Sequence, residues 1–448
     1  MVPSPLLVVV LAAGKGVRMR SALPKVLHPI GGRSMLAHVL ATVAQLGAQH
    51  ISAVVGPGMD PVRNEIAGAA PHAEVFEQTE RLGTAHAVLA ARAAIERNAG
   101  TVLVVLADAP LAEAATLRRM IEALDAGAHI AVLGFEAEDP GGYGRLILDA
   151  QGRVAAIRED KDASEAERRL RLCNAGAMAL RVPDPAGLIA RIGNANAKAE
   201  YYLTDAPAIA ASEGLIAVPV RCSAEEALGI NSRAQLAAAE AVFQRRARAG
   251  AMEAGASLVA PETVWFSYDT ALGRDVVIEP NVFFGPGVVV EDGAHILANC
   301  HIVGARIGKG ARIGPFARFR PGADIGAGAH IGNFVEVKNA RLEAGAKANH
   351  LAYIGDGRVG EGANIGAGTI FCNYDGFDKH FTDVGKGAFI GSNSSLVAPV
   401  KIGDGAYVGS GSIITRDVEP DALALERTAQ EQRPGWAAKF RKLKRRRK

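Results

Sequence analysis

The sequence predicts two folds in tandem: an α/β domain built on a parallel sheet, then a coil of short parallel β-strands. Two periodicities carry this reading. Up to about residue 230, apolar runs alternate with Ala-rich helical stretches, the alternation that builds a parallel sheet with helical crossovers. From about Ser257 to Asp417 an aliphatic or aromatic residue recurs every six positions. Six is the period of neither helix nor ordinary strand, but it is that of a coil whose apolar side chains stack inward.

In the first part, residues 6–11, 51–55 and 102–106 are buried-strand runs, and 35–46, 84–97 and 112–126 are the helices among them. Ser232 to about Ala251, rich in Ala, Gln, Glu and Arg, is an amphipathic helix joining the halves. The expected domains are 1–231, a linker helix over 232–256, and 257–448. The repeat then reads Ile278, Phe284, Val290, Ile296 and Ile302 and, after a one-residue slip, Ile307, Ile313, Phe319, Ile325, Ile331 and Val337. It returns at Val359, Ile365 and Phe371, and again at Val384, Ile390, Leu396, Ile402, Val408 and Ile414. A Gly-rich disordered tail would lack such regular aliphatic positions. The interruptions around 347–353 and 373–379 are where a repeat scaffold is expected to extrude functional loops. The segment after Arg427 reads as irregular with a charged end.

Of the net charge of +3, the last ten residues contribute eight Lys or Arg, leaving −5 for the rest. A basic body that binds nucleic acid is not indicated; for the tail two readings stay open, contact with nucleic acid or membrane and, favoured, a solvated, frayed terminus. Cys173, Cys222, Cys300 and Cys372 lie far apart with no C-x-x-C, so neither a metal box nor a disulfide framework is expected and a reducing, cytoplasmic location is. Residues 6–13 are apolar but lack a basic leader and run directly into Gly14-Lys15-Gly16, as a first strand does and a signal peptide does not. No apolar run reaches the ~18–20 residues of a membrane span.

The first strand leads into Leu11-Ala12-Ala13-Gly14-Lys15-Gly16-Val17-Arg18-Met19, then Leu23-Pro24-Lys25. Two glycines let backbone approach a phosphate, with Arg18 and Lys25 supplying positive potential. Met19 stands where a dinucleotide fingerprint needs its third Gly, and no G-K-[ST] is present, so neither a Rossmann fingerprint nor a P-loop is indicated. The whole run resembles the signature of sugar-phosphate nucleotidyltransferases. Further matches are Gln78-Thr79-Glu80-Arg81-Leu82-Gly83-Thr84-Ala85, Asp108 at a strand end, Gly144, Glu159, Lys161, Asn174, residues 201–205 and Asn231. The resemblance implies a Rossmann-like sheet, uracil contacts from the Gln78–Ala85 stretch, Mg²⁺ held by Asp108 and Asn231, and sugar and phosphate contacts from the others. Leu11, Ala12, Gly14, Gly16, Gln78, Gly83 and Thr84 belong to the same nucleotide site. Leu106-Ala107, Arg81 and Ala85 depart from the usual Tyr-Gly, Gln and Gly, which bears on nucleotide preference and rate.

The hexad half resembles the left-handed parallel β-helix acyltransferases. Arg320-Pro321-Gly322-Ala323, Gly332-Asn333-Phe334-Val335-Glu336-Val337-Lys338 and Cys372-Asn373-Tyr374-Asp375-Gly376 narrow this to one family. They match the bacterial bifunctional N-acetylglucosamine-1-phosphate uridylyltransferase/glucosamine-1-phosphate acetyltransferases, from Leu11 to about Trp436. The resemblance implies that Arg320 and Lys338, with Tyr353 and Asn364, hold glucosamine 1-phosphate. His350 is then the general base for the sugar amine, Asn373 and Tyr374 position substrate or polarise the acetyl carbonyl, and Ser392, Ser410 and Arg427 contact acetyl-CoA. It also implies a homotrimer, and a second reaction between N-acetylglucosamine 1-phosphate and UTP whose product feeds the cell envelope. An ammonium has no lone pair, and an imidazole titrating at about 6.5 can take its proton near neutral pH. Direct transfer needs no cysteine carrier, so Cys372 is a passive neighbour. Two other readings are open: a nucleotidyltransferase whose hexad half only regulates, and one whose hexad half only oligomerises.

Overall fold

The computed structural model describes residues 5–98 and 100–445. Two compact units divide between Arg246 and Ala247. The first is organised by a sheet whose main path runs Ala217–Cys222, Ile130–Glu136, Leu172–Leu180, Thr101–Leu106, Leu6–Leu11, His50–Val55, Glu74–Glu77. Leu6–Leu11 pairs in parallel with both Thr101–Leu106 and His50–Val55. Its Val and Leu side chains are buried on both faces, which is why the run is continuously apolar rather than alternating. Leu7 and Val9 enter one core, and Val8 and Val10 the other.

The sheet is mixed, not purely parallel. Leu172–Leu180 runs antiparallel to both neighbours, because the chain reaches it from the hairpin Arg145–Leu148/Val154–Arg158 and not from a helical crossover. The expected helix over 84–97 is two helices, Thr84–Ala90 and Arg92–Arg97, broken where Ala91 leaves helical geometry (φ −92°, ψ 19°). The expected joining helix is Arg233–Glu253. Ala239 and Val242 on it pack with Ile30, Met35 and Leu111 of the first unit. Beyond the division, Ala247 and Ala251 pack against the core of the second.

The second unit is a β-helix of two- to seven-residue parallel strands. Val277 pairs with His295, and Phe283 with His301, so one coil takes eighteen residues. Ile278, Ile296, Ile313, Ile331, Ala348, Ile365, Ile390 and Val408 stack on one face; Phe284, Ile302, Phe319, Val337, Ile354, Phe371, Leu396 and Ile414 on a second; Val290, Ile307, Ile325, Leu342, Val359, Val384 and Ile402 on a third. Small residues two positions earlier, among them Ala311, Ala317, Ala323 and Ala329, are buried as well.

The apparent interruption between Val337 and Val359 is not one. Leu342, Ala348 and Ile354 carry the inward ladder through it. Two five-residue steps and an Ala at an apolar position hid the period. The later interruption is a true extrusion: Arg358 pairs with Asp383, twenty-five positions on. The segment after Arg427 is not wholly irregular, since Trp436–Arg445 is an α-helix.

Candidate active sites

The first site lies at the carboxyl ends of the central strands, where an open α/β sheet presents its loops. Lys25 is 7% exposed. Its ammonium forms an ion pair with the Asp108 carboxylate and donates to Asn231 Oδ1 at 2.9 Å. The backbone holds these partners together, as Ile230 N–H donates to the Asp108 carbonyl at 2.9 Å. A carboxylate and an amide oxygen converging on one buried cation form a donor set that fits a hard divalent ion, which takes oxygen ligands and keeps several waters. Among the described residues no cluster of three or more His, Cys, Asp or Glu offers a metal site.

Gly16 has φ +63°, and a Cβ on it would strike the Lys25 side chain, so this glycine leaves room for the lysine. Leu11, Gly14, Gln78, Gly83, Thr84 and Asp108 line one cleft of about 310 Å³. The sequence reading missed Ala87 and Glu200 on its wall. Gln78 Nε2 donates to the Gly83 carbonyl at 3.1 Å. Gly83, at φ +121°, lies so close to the Tyr201 backbone that no side chain fits, and Thr84 Oγ1 accepts from Leu203 N–H at 2.9 Å. Ala12 is buried and its N–H is bonded to the Val54 carbonyl, so it supports the loop from beneath. Arg18 is exposed on the turn Val17–Met19.

The three departures from the family pattern now have a physical setting. Arg81 Nε donates to the Ala13 carbonyl at 2.8 Å and tethers the Gly-rich loop. The Ala85 methyl is in the core, and Ala107 is buried too. Leu106 faces the cleft, and Gly176, at φ +92°, leaves the space it fills. Nearby, Gly144, Glu159 and Asn174 are brought together: Asn174 N–H donates to the Gly144 carbonyl at 2.7 Å, and a Cβ on Gly144 would lie 3.6 Å from both Glu159 Oε1 and Asn174. Burial pushes the Glu159 carboxyl up, although Thr204 donates to it at 3.0 Å.

The second site is built by stacking coils. His350 ends the strand Lys347–His350, directly beneath Asn333 in register. It is exposed, and its Nδ1 lies 2.6 Å from Asn333 Oδ1. Asn333 Oδ1 can only accept, so Nδ1 is the donor, and in the neutral ring the lone pair is then on Nε2. The same corner continues coil by coil: Gly368 N–H donates to the His350 carbonyl, Asn393 N–H to Ala367, and Gly411 N–H to Ser392, at 3.3, 2.7 and 2.8 Å. Ser392 and Ser410 therefore lie further along the column that carries Asn333 and His350. Arg427 Nη1 donates to the Ser410 carbonyl at 3.0 Å.

On the adjoining face, Arg320 N–H donates to the Val337 carbonyl, and Lys338 pairs with Gly355, which stacks the two cations in successive coils. Arg320 is bonded to Glu336 at 3.1 Å, and Glu336 pairs in register with Tyr353. Two residues absent from the sequence-derived set complete this end. Lys379, on the extruded loop, has its pKa lowered first by contact with the Lys338 ammonium. Asp356, 8% exposed, accepts from Asn339 Nδ2 at 2.7 Å and from Asn373 Nδ2. Burial would raise the Asp356 carboxyl, but these hydrogen bonds, with Lys338 and Lys379, hold it below the usual range. Asn373 is thus buried under the site, while exposed Tyr374 bonds its hydroxyl to the Gly376 carbonyl at 2.6 Å. Asn364 pairs between Lys347 and Phe389, one coil on from His350.

The family model described as a MobA-like NTP transferase domain matches residues 8–178. The bacterial transferase hexapeptide (six repeats) model matches 304–339 and 381–416. The fold class is accordingly a Rossmann-like nucleotidyltransferase sheet followed by a left-handed parallel β-helix of hexapeptide repeats. The chain also aligns with a solved structure of UDP-glucose pyrophosphorylase complexed with UDP-glucose over 54% of its own length and 99% of that chain, at 16% identity and TM-score 0.45. The bifunctional protein GlmU of Azorhizobium caulinodans is 59% identical over 436 residues, 97% of each chain. That of Xanthobacter autotrophicus is 58% identical over 436 residues, again 97% of each, and that of Paramagnetospirillum magneticum 53% over 443 residues, 98% of each. With identity this high over nearly the full length of both chains, the protein belongs to the bifunctional GlmU family.

Proposed function

We propose that the two sites carry successive steps of UDP-N-acetylglucosamine synthesis. The β-helix acetylates glucosamine 1-phosphate, and the α/β unit joins the N-acetylglucosamine 1-phosphate so formed to UTP. The observation that carries this reading is the exposed His350 ring held through Nδ1 by Asn333, on the column that also bears Ser392 and Ser410. Nε2 takes a proton from the sugar amine as its nitrogen bonds to the acetyl carbon, and the thioester C–S bond breaks to release CoA. Arg320, Lys338 and Lys379 supply positive charge for the sugar phosphate, with Tyr353, Asn364 and Tyr374 at its margins.

In the other unit, a phosphate oxygen of N-acetylglucosamine 1-phosphate attacks the α-phosphorus of UTP and pyrophosphate leaves. Little covalent help is needed; alignment and charge neutralisation account for most of the rate. Asp108 and Asn231 would hold the divalent ion, here Mg²⁺, which supplies charge neutralisation at the phosphates when bound. Lys25 and Arg18 face the triphosphate, Gln78 and Gly83 the uracil, and Gly144, Glu159 and Asn174 the sugar. Domains at 1–231 and 257–448, a linker helix at 232–256, a homotrimer with acetyl-CoA between subunits and a cytoplasmic location belong to the same reading. Among the described residues no helix is long and apolar enough to cross a membrane. The test is incubation of the purified protein with glucosamine 1-phosphate, acetyl-CoA, UTP and Mg²⁺, with products identified by mass. UDP-N-acetylglucosamine, CoA and pyrophosphate are expected; failure to release CoA would leave only a nucleotidyltransferase.

A further inference from the structure

The helix Trp436–Arg445 has no buried residue. Its sequence, Trp-Ala-Ala-Lys-Phe-Arg-Lys-Leu-Lys-Arg, carries five basic residues and no carboxylate. Trp436, Phe440 and Leu443 fall at i, i+4 and i+7, so they form one stripe along the helix. They are 56, 44 and 53% exposed, and the Trp436 and Phe440 rings stack with centroids 5.1 Å apart. Helical spacing sets Lys439 and Lys444 along the two edges of this stripe and Arg441, Lys442 and Arg445 on the opposite face. Lys444 Nζ lies 5.6 Å from the Phe440 ring centroid.

An apolar stripe rimmed by lysines and backed by cations has a specific chemical complement. Nucleic acid would satisfy the cations and leave the Trp-Phe-Leu stripe in water. A second copy of the helix would cover the stripe but oppose five like charges to five. Three side chains also fall well short of the roughly 1,200 Å² that a stable interface buries. An anionic bilayer surface answers both faces: the stripe enters the acyl boundary, the edge lysines extend along it to keep their ammonium groups at headgroup level, and the outer cations meet lipid phosphates. We propose that Trp436–Arg445 is an in-plane anchor that docks the protein on anionic phospholipid bilayers, independently of both reactions.

The test is flotation of the full chain with vesicles of phosphatidylcholine alone or of equimolar phosphatidylglycerol and phosphatidylcholine, with tryptophan fluorescence recorded in parallel. Binding to the anionic vesicles is expected to exceed binding to the neutral ones by about tenfold or more, with a blue shift of the emission. It should be lost at about 1 M salt, where the screening length falls to about 3 Å. Joint Trp436→Ala, Phe440→Ala and Leu443→Ala substitution keeps every charge, and should abolish binding while both enzymatic rates stay at wild-type level. Equal binding to the two vesicle types, or full binding by the triple variant, would overturn the proposal. So would capture by duplex DNA that the triple variant retains undiminished, since the cations alone would then define the partner.

Discussion

Asn333 Oδ1 accepts a 2.6 Å hydrogen bond from His350 Nδ1 across one coil of the β-helix. The two residues are seventeen positions apart and meet because their strands are in register. In the proposed acetyl transfer Asn333 acts through the ring, setting its tautomer and direction. Asn333→Ala should therefore lower acetyl-transfer kcat about 10-fold to 100-fold, the usual size of an orienting-partner loss, with uridylyl transfer unchanged. Because the ring would then be free to place its proton on either nitrogen, the acetyl-transfer pH profile should move as well. Asn333→Asp, which restores an acceptor, should recover part of the rate. An unchanged pH profile and rate in Asn333→Ala would remove the positioning role.

Asp356 accepts from two amides and faces Lys338 and Lys379, the cations proposed to hold the sugar phosphate. Asp356→Ala should cost about 1–3 kcal/mol in stability, since buried donors lose their acceptor. The pH dependence has a definite sign. The folded carboxyl is held below its unfolded value of about 3.9, so its contribution is present above that pH and is lost as pH falls through the folded value. Thermal melts should fall less steeply below about pH 4 in Asp356→Asn than in the wild type. Parallel curves would show that the carboxylate contributes nothing there.

Gly83 has φ +121° with the Tyr201 backbone against it. In Gly83→Ala the methyl has nowhere to go, so the wall of the cleft it lines must shift, at a cost of about 1–3 kcal/mol of strain. The expected outcome is a raised KM for UTP and a lower melting temperature of the α/β unit, with acetyl transfer intact. Wild-type UTP affinity in that variant would mean that the wall is not part of the site.

Chelation should separate the two reactions. EDTA should abolish UTP consumption and leave CoA release from acetyl-CoA untouched, because only Asp108 and Asn231 are assigned to a metal. Asp108→Ala should reproduce the first effect at saturating Mg²⁺. Metal-dependent acetyl transfer would contradict the assignment.

Much of this was legible in the chain because short-range chemistry wrote it there. The strand Leu6–Leu11 is apolar on both faces, Gly16 sits where only a glycine clears Lys25, and the aliphatic hexads report their own stacking. What was hidden depends on distance in space. Lys379 meets Lys338, and Asp356 meets Asn373, only because coils of seventeen and twenty-five residues stack in register. Ala348 concealed a coil, since a methyl at the inward position carries little hydrophobic signal. Leu172–Leu180 reverses direction because of the hairpin before it, which no periodicity in the strand itself records. Trp436–Arg445 escaped notice because three apolar residues are diluted by a run of cations.

The most direct measurement uses one purified His350→Ala variant, first checked for wild-type circular dichroism and melting, and assayed twice. With glucosamine 1-phosphate and acetyl-CoA, CoA release should fall about 10²-fold to 10⁴-fold, the range of a lost general base. With N-acetylglucosamine 1-phosphate, UTP and Mg²⁺, pyrophosphate release should match the wild type. Loss of both activities in the folded variant, or retention of both, would contradict two separate sites with His350 as the base of one.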